Sequence, residues 1–140
     1  MAKIAFDIDG VLAKGLDIHK LNSGRDDEIY RKLIFDDLSL PLIEKLKKDN
    51  TIYILTARHS HYRDVTISWL NKHNLIYDKI FLNHYNDWRA GPQYKAEIIQ
   101  REGIDVLIDD TPEIIDYVNR NTGCKAILFS DWEEVKKELQ

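Results

Sequence analysis

The chain holds one cysteine, Cys124, in 140 residues. No intramolecular disulfide can form, which excludes the stapled secreted scaffolds and suits a reducing compartment. Cys124 follows Thr122 and Gly123 at the entrance to an apolar run. No catalytic partner stands near it in sequence, so it reads as a packing residue. Long apolar runs are also missing: no segment approaches the roughly 20 residues needed to cross a bilayer. Met1–Ile4 lacks a signal-peptide pattern, because the apolar run is short and acids interrupt it. A cytoplasmic protein is the expectation, with no membrane partner. There is no excess of basic charge, with 20 basic and 24 acidic residues and a net charge of -4. That argues against an extended nucleic-acid surface, although a local basic site stays open. Repeats and low-complexity segments are absent. What is present is ordinary for a soluble globular protein: 44% hydrophobic and 31% charged residues, in a length that suits one domain over 1–140.

The pattern along the chain is one of alternation. Residues 2–9 read as a strand buried on both faces at its start. Residues 11–38 are polar, mixed in charge and poorly periodic, with turns at Gly15 and at Asn22-Ser23-Gly24 and a short amphipathic helix over Glu28–Ile34. They read as a lid inserted after the first strand. Ser39-Leu40-Pro41 opens a helix, and residues 51–56 form a β-branched strand. A helix over about 61–73, a short strand at 80–82 and a loop over 83–92 follow. A helix over 93–101 then ends at Gly103. Val106-Leu107-Ile108 reads as a buried strand, Pro112 as the first position of a helix, and 126–129 as a further strand. Ser130 or Asp131 caps the last helix. Strands alternating with helices predict right-handed crossovers and a mostly parallel sheet covered on both faces. The fold class is therefore α/β, a three-layer α/β/α Rossmann-like sandwich with a short cap insert at 11–38.

Ligands of open parallel sheets sit beyond the carboxyl ends of the strands. Asp7 and Asp9 leave the first strand, with Gly10 allowing a sharp turn. Thr56, Ala57 and Arg58 leave the second, and Asp109 and Asp110 leave the fourth. Lys95 is expected in the first turn of the helix before that fourth strand, where an ammonium opposes the helix dipole and hints at a local anion. Taken singly, these are caps, solvated acids and a surface lysine. Together, several acids converging on one edge repel one another unless a cation is present. Hard oxygen ligands favour Mg²⁺, with Lys95 and Thr56 serving phosphate oxygens.

In these residues the chain resembles the haloacid dehalogenase-like (HAD) phosphohydrolases. The resemblance rests on Asp7-Ile8-Asp9-Gly10-Val11-Leu12, Leu55-Thr56-Ala57-Arg58, Lys95 and Ile108-Asp109-Asp110. The four motifs fall in the family's order and span most of the chain. Leu-Thr-Ala-Arg followed by Asp64-Val65-Thr66 and Trp69-Leu70 is similar to the 5'-nucleotidase and deoxyribonucleotidase branch. The resemblance implies a Mg²⁺-dependent phosphomonoesterase of nucleotides or another small phosphorylated substrate. Asp7 would be the nucleophile that forms an aspartyl-phosphate, and Asp9 the acid and then the base. Asp7, the Asp9 main-chain carbonyl and Asp109 would hold the metal, with Asp110 as support or second ligand. Thr56 and Lys95 would hold the phosphoryl group, with the Ala57 and Arg58 main-chain amides beside it.

The insert occupies the family's cap position and is short, which leaves an open mouth. Tyr30 and Phe35 either stack a base or anchor the lid. His84, Tyr85, Trp88 and Arg89 form an aromatic-basic cluster that either meets a nucleobase or covers the sheet edge. An open mouth keeps a polynucleotide-end phosphatase in play. From a different class, a phospho-accepting receiver domain also gathers acids, a Thr and a Lys at strand ends. It carries its acid pair early and its Lys at a late strand end, whereas here paired acids come late and Lys95 opens a helix. A non-catalytic descendant would have lost one of these residues, and none is missing.

Overall fold

A computed structural model of the chain describes residues 1–21, 25–85 and 87–139. The expected turn at Asn22-Ser23-Gly24 lies outside them. Five parallel strands form the sheet: β1 (Lys3–Phe6), β4 (Thr51–His59), β5 (Lys79–Asn83), β6 (Val106–Asp109) and β7 (Lys125–Leu128), in the order β5-β4-β1-β6-β7. The first strand of the chain is thus the central one. Phe6 is in register with Ile54 on one side and Ile108 on the other.

The period-2 alternation of strand side chains divides the core into two layers. Ile4, Phe6, Ile52 and Ile54 face one side and pack with residues of α2 (Ser39–Lys47), α3 (Arg63–Lys72) and α6 (Trp132–Glu138), among them Ile43, Trp69 and Val135. Ala5, Tyr53, Leu55 and Leu107 face the other and pack with Tyr94 and Ile98 of α4 (Gly91–Glu102) and Val118 of α5 (Pro112–Asn121). This is the three-layer α/β/α arrangement. A sheet buried on both faces explains why its strands read as nearly continuous apolar runs.

The insert is more ordered than a loop. β2 (Ala13–Lys14) and β3 (Ile34–Phe35) pair antiparallel and enclose α1 (Asp27–Arg31). The expected helix over Glu28–Ile34 therefore ends early, since Ile34 pairs in the ladder instead. Tyr30 and Phe35 anchor the insert. Phe35 stacks on His73 with ring centroids 4.8 Å apart, and Tyr30 packs against Tyr62 at the same separation. Both rings are buried, which removes the base-stacking reading for them. The base of the insert is pinned at Asp36, whose carboxylate accepts from Trp132 Nε1 of α6 at 3.0 Å and pairs with Lys14 at 3.2 Å.

Several boundaries differ from expectation: β1 stops at Phe6 rather than running on to residue 9. β4 runs on to His59 rather than stopping at Thr56. A 3-10 turn over Trp88–Ala90 interrupts the expected loop, and α4 begins at Gly91 with Pro92 in its first turn. Proline lacks the amide that a helix start leaves unpaired, so Gly91-Pro92 opens this helix rather than closing a loop. Lys95 consequently stands in the second turn, beyond the first-turn position its opposition to the dipole assumed. Asp131 caps α6 by accepting from the Glu134 amide at 2.9 Å.

Candidate active site

The site forms where β1 stops. Asp7 still donates its amide to the Ile108 carbonyl at 3.0 Å, and then the backbone folds on itself. The Ile8 carbonyl accepts from the amides of Val11, Leu12 and Ala13. Gly10 has φ +88°, and a side chain there would run into the Asp110 carboxylate. Ile8 stays buried in the apolar core between two acids.

Lys95 is the centre of the charge arrangement. Its Nζ lies 2.5 Å from Asp109 Oδ2 and 3.1 Å from Asp7 Oδ1. All three side chains are almost wholly buried. Burial alone would lower the lysine, but Asp109 and Asp7 outweigh it and keep the ammonium charged well above its ordinary range. Carboxylate oxygens of Asp7, Asp109 and Asp110 lie within 4.8 Å of one another. Burial, and then the charge of Asp109, pushes Asp7 well above the usual carboxylate range, and Asp110 is pushed up for the same two reasons. Asp109 Oδ1 accepts from the Thr111 amide at 3.0 Å, which fixes the carboxylate at the head of α5.

The second strand end is built differently from the expectation. Thr56 is buried, and its Oγ1 accepts from the Arg58 amide at 3.1 Å. That amide is therefore committed to the strand end rather than turned toward a ligand, while the Thr56 hydroxyl keeps its own hydrogen to donate. The Arg58 side chain lies inside the protein, with its Nε 2.9 Å from Asp9 Oδ2 and an Nη 2.7 Å from Asp9 Oδ1. Its other Nη donates to Thr66 Oγ1 at 3.0 Å, and its guanidinium carbon sits 4.2 Å from the centre of the Tyr30 ring. Asp9 and Arg58 are 49 residues apart, so no local spacing announces this pair. The sequence offers Tyr30 as a base stack or lid anchor and Thr66 within the branch resemblance, and no spacing joins either to Arg58.

The aromatic-basic cluster divides. Arg89 pairs with Asp87, the Tyr85 hydroxyl binds Glu97, and the His84 and Tyr85 rings pack near Tyr94, whereas Trp88 is 71% exposed. Cys124 is buried, and burial with Asp105 nearby pushes its thiol up to about 12, as befits a packing residue. No helix among the described residues is long and apolar enough to cross a membrane.

Comparison with known proteins agrees with this geometry. The chain has the fold of the haloacid dehalogenase-like hydrolases. A HAD family enzyme from Bacteroides thetaiotaomicron, solved in complex with magnesium and inorganic phosphate, superposes with a TM-score of 0.64 at 14% identity, over 96% of this chain and 98% of that one. A chain of the Pnkp1/Rnl/Hen1 RNA repair complex gives a TM-score of 0.75 at 19% identity, over 91% of this chain and 42% of that one. In sequence, the protein named Putative nucleotidase YqfW from Bacillus subtilis (strain 168) is 26% identical over 102 residues, 73% of this chain. The chain spans about half the length of that relative, 49%. No protein-family model matches the chain.

Proposed function

We propose that the chain is a Mg²⁺-dependent phosphomonoesterase that works through an aspartyl-phosphate, with nucleotides as its first candidates among small phosphorylated substrates. The observation that carries this reading is the buried Lys95 ammonium held between Asp7 and Asp109 beside Asp110. The donor set suits a hard divalent cation: three carboxylates against one ammonium leave surplus negative charge, and Asp7 and Asp110 are raised by burial and then by the charge of Asp109. Asp7, Asp109 and Asp110, with the Asp9 main-chain carbonyl, would hold the ion, which when bound neutralises charge on the phosphoryl oxygens.

The chain's own residues perform the transfers. An Asp7 carboxylate oxygen bonds to phosphorus as the ester P–O bond breaks, and the Asp9 carboxyl proton passes to the leaving oxygen, giving the free alcohol. Water then bonds to phosphorus and gives a proton to the Asp9 carboxylate. The bond from Asp7 to phosphorus breaks, releasing inorganic phosphate. Lys95 and the Thr56 hydroxyl stabilise charge on the oxygens that stay with phosphorus. The receiver alternative lacks support from topology. Numbered within the sheet, the strand order is 3-2-1-4-5 rather than the 2-1-3-4-5 of receiver domains.

A single cysteine, buried, supports a reducing setting such as the cytoplasm. The test is phosphate release from a panel of nucleotides, sugar phosphates and 3'-phosphorylated DNA, with Mg²⁺ or EDTA, against Asp7→Asn. Mg²⁺-dependent release that Asp7→Asn lacks supports the reading. Turnover of the DNA end alone moves the substrate to polynucleotides, which the short insert leaves room for. No release across the panel rejects the phosphatase.

A further inference from the structure

The mechanism requires Asp9 to aim at the scissile oxygen, yet Asp9 lies within a tight turn and is the more exposed member of its ion pair, 23% against 1% for Arg58. What aims it is a chain of contacts that leads out of the sheet and into the insert. Both Asp9 oxygens are taken by Arg58 in a two-point contact, a geometry that fixes the plane of the carboxylate as well as its position. Arg58 in turn has no freedom of its own. Thr66 of α3 holds one end of the guanidinium, and the Tyr30 ring of α1 covers its face at 4.2 Å. Tyr30 is itself wedged against Tyr62, whose hydroxyl donates to Asp26 at 2.9 Å at the start of α1.

We infer that Tyr30 is a positioning residue for Asp9, acting through Arg58. The insert thereby governs the proton-transfer group from behind rather than by touching substrate. This rests on the reading of Asp9 as acid and base. Arg58 serves as the link, and its side chain is unavailable for gripping phosphate while the pair persists.

The consequence is selective. A misaimed Asp9 hurts departure of a basic alkoxide and hurts attack by water, but spares departure of p-nitrophenolate, which needs little protonation. The experiment compares Tyr30→Leu, Tyr30→Phe and Arg58→Lys with the unaltered protein, using p-nitrophenyl phosphate and glycerol phosphate in Mg²⁺. Positioned acid-base groups supply roughly 10²–10⁴-fold in rate, so a partial misalignment in Tyr30→Leu should lower kcat on glycerol phosphate by on the order of tenfold with KM little changed. In the same variant p-nitrophenyl phosphate should give a rapid burst of p-nitrophenol followed by slow turnover, as aspartyl-phosphate accumulates. Tyr30→Phe, which keeps the ring, should recover the glycerol phosphate rate. Arg58→Lys should show the burst more strongly, because an ammonium cannot make the two-point contact.

Equal losses on both substrates without a burst would mean that Tyr30 only supports the fold, and would overturn the inference while leaving the phosphatase intact. A crystal structure of Tyr30→Leu gives a reading that does not depend on turnover. A displaced or singly bonded Asp9 supports the inference, and an unchanged two-point pair overturns it. If the unaltered protein turns over neither ester, the functional reading falls by itself and the crystal structure still decides whether Tyr30 sets the pair.

Discussion

Lys95 and Asp109 meet at 2.5 Å in the interior, and neither side chain is more than 1% exposed. An ion pair this deep is worth little as a net gain, because desolvation opposes it. Breaking it from one side is another matter. Lys95→Met leaves Asp109 and Asp7 buried without their cation, and should cost about 3–5 kcal/mol in urea denaturation with EDTA present. Turnover should vanish, and millimolar Mg²⁺ should return part of the lost stability. A variant as stable as the parent in EDTA would show that the pair does not organise the site.

Asp9→Asn should separate chemistry from folding. The amide matches the carboxylate in shape but cannot give and take a proton. Turnover should fall by roughly 10²–10⁴-fold, with the fold and Mg²⁺ binding retained but the thermal midpoint lowered, because an amide accepts from Arg58 at one atom only and leaves that buried guanidinium without its counter-charge. Near-parent turnover would remove Asp9 from its role.

Gly10→Ala should damage the site through the backbone. Its φ of +88° strains any side chain, and the added methyl would meet the Asp110 carboxylate. Strain at a left-handed position costs about 1–2 kcal/mol. Beyond that loss of stability, displacement of Asp110 should raise the Mg²⁺ concentration needed for half-maximal turnover. A parent-like Mg²⁺ titration would detach Asp110 from the metal.

Asp78 offers a pH signature outside the site. Burial pushes its carboxyl up, but the Ile52 amide at 2.8 Å and Lys47 at 3.0 Å outweigh that and hold it below the ordinary value. A depressed folded-state value contributes stability that is fully present above the unfolded value of about 3.9 and is lost as the pH falls through the folded one. Asp78→Asn keeps an acceptor for Ile52 but not the charge. It should therefore be less stable than the parent at neutral pH, by an amount that solvent screening keeps small. The gap should close as denaturation is repeated toward about pH 3. A gap independent of pH would assign the effect to packing.

The fold was legible because strands buried on two faces leave short, nearly continuous apolar runs, and because Gly103 and Pro112 punctuate the helices between them. The meeting of Asp7 with Asp109 was legible for a related reason: a parallel sheet delivers every strand end to one edge. Arg58 shows where that logic stops. The resemblance implies a backbone amide beside phosphate, whereas in the structure the amide meets Thr56 and the side chain meets Asp9. A guanidinium reaches several ångströms from its own strand, and neither Thr66 nor Tyr30 stands at a spacing that would reveal its destination. A loop that runs through Gly91-Pro92 puts Lys95 two residues too near the helix start, whereas α4 begins at Gly91. The insert was underestimated because two-residue strands such as β2 and β3 are too short to show a period.

The bond between Asp36 and Trp132 spans 96 residues. It imposes an order of events on a chain that leaves the ribosome from its N-terminus. The base of the insert is synthesised 96 residues ahead of Trp132, so it cannot be pinned until α6 has emerged. β1 waits likewise, since one of its two neighbours, β6, lies about a hundred positions downstream. Stalling translation before residue 132 should therefore leave the insert open to protease, and release of the stalled chain should close it.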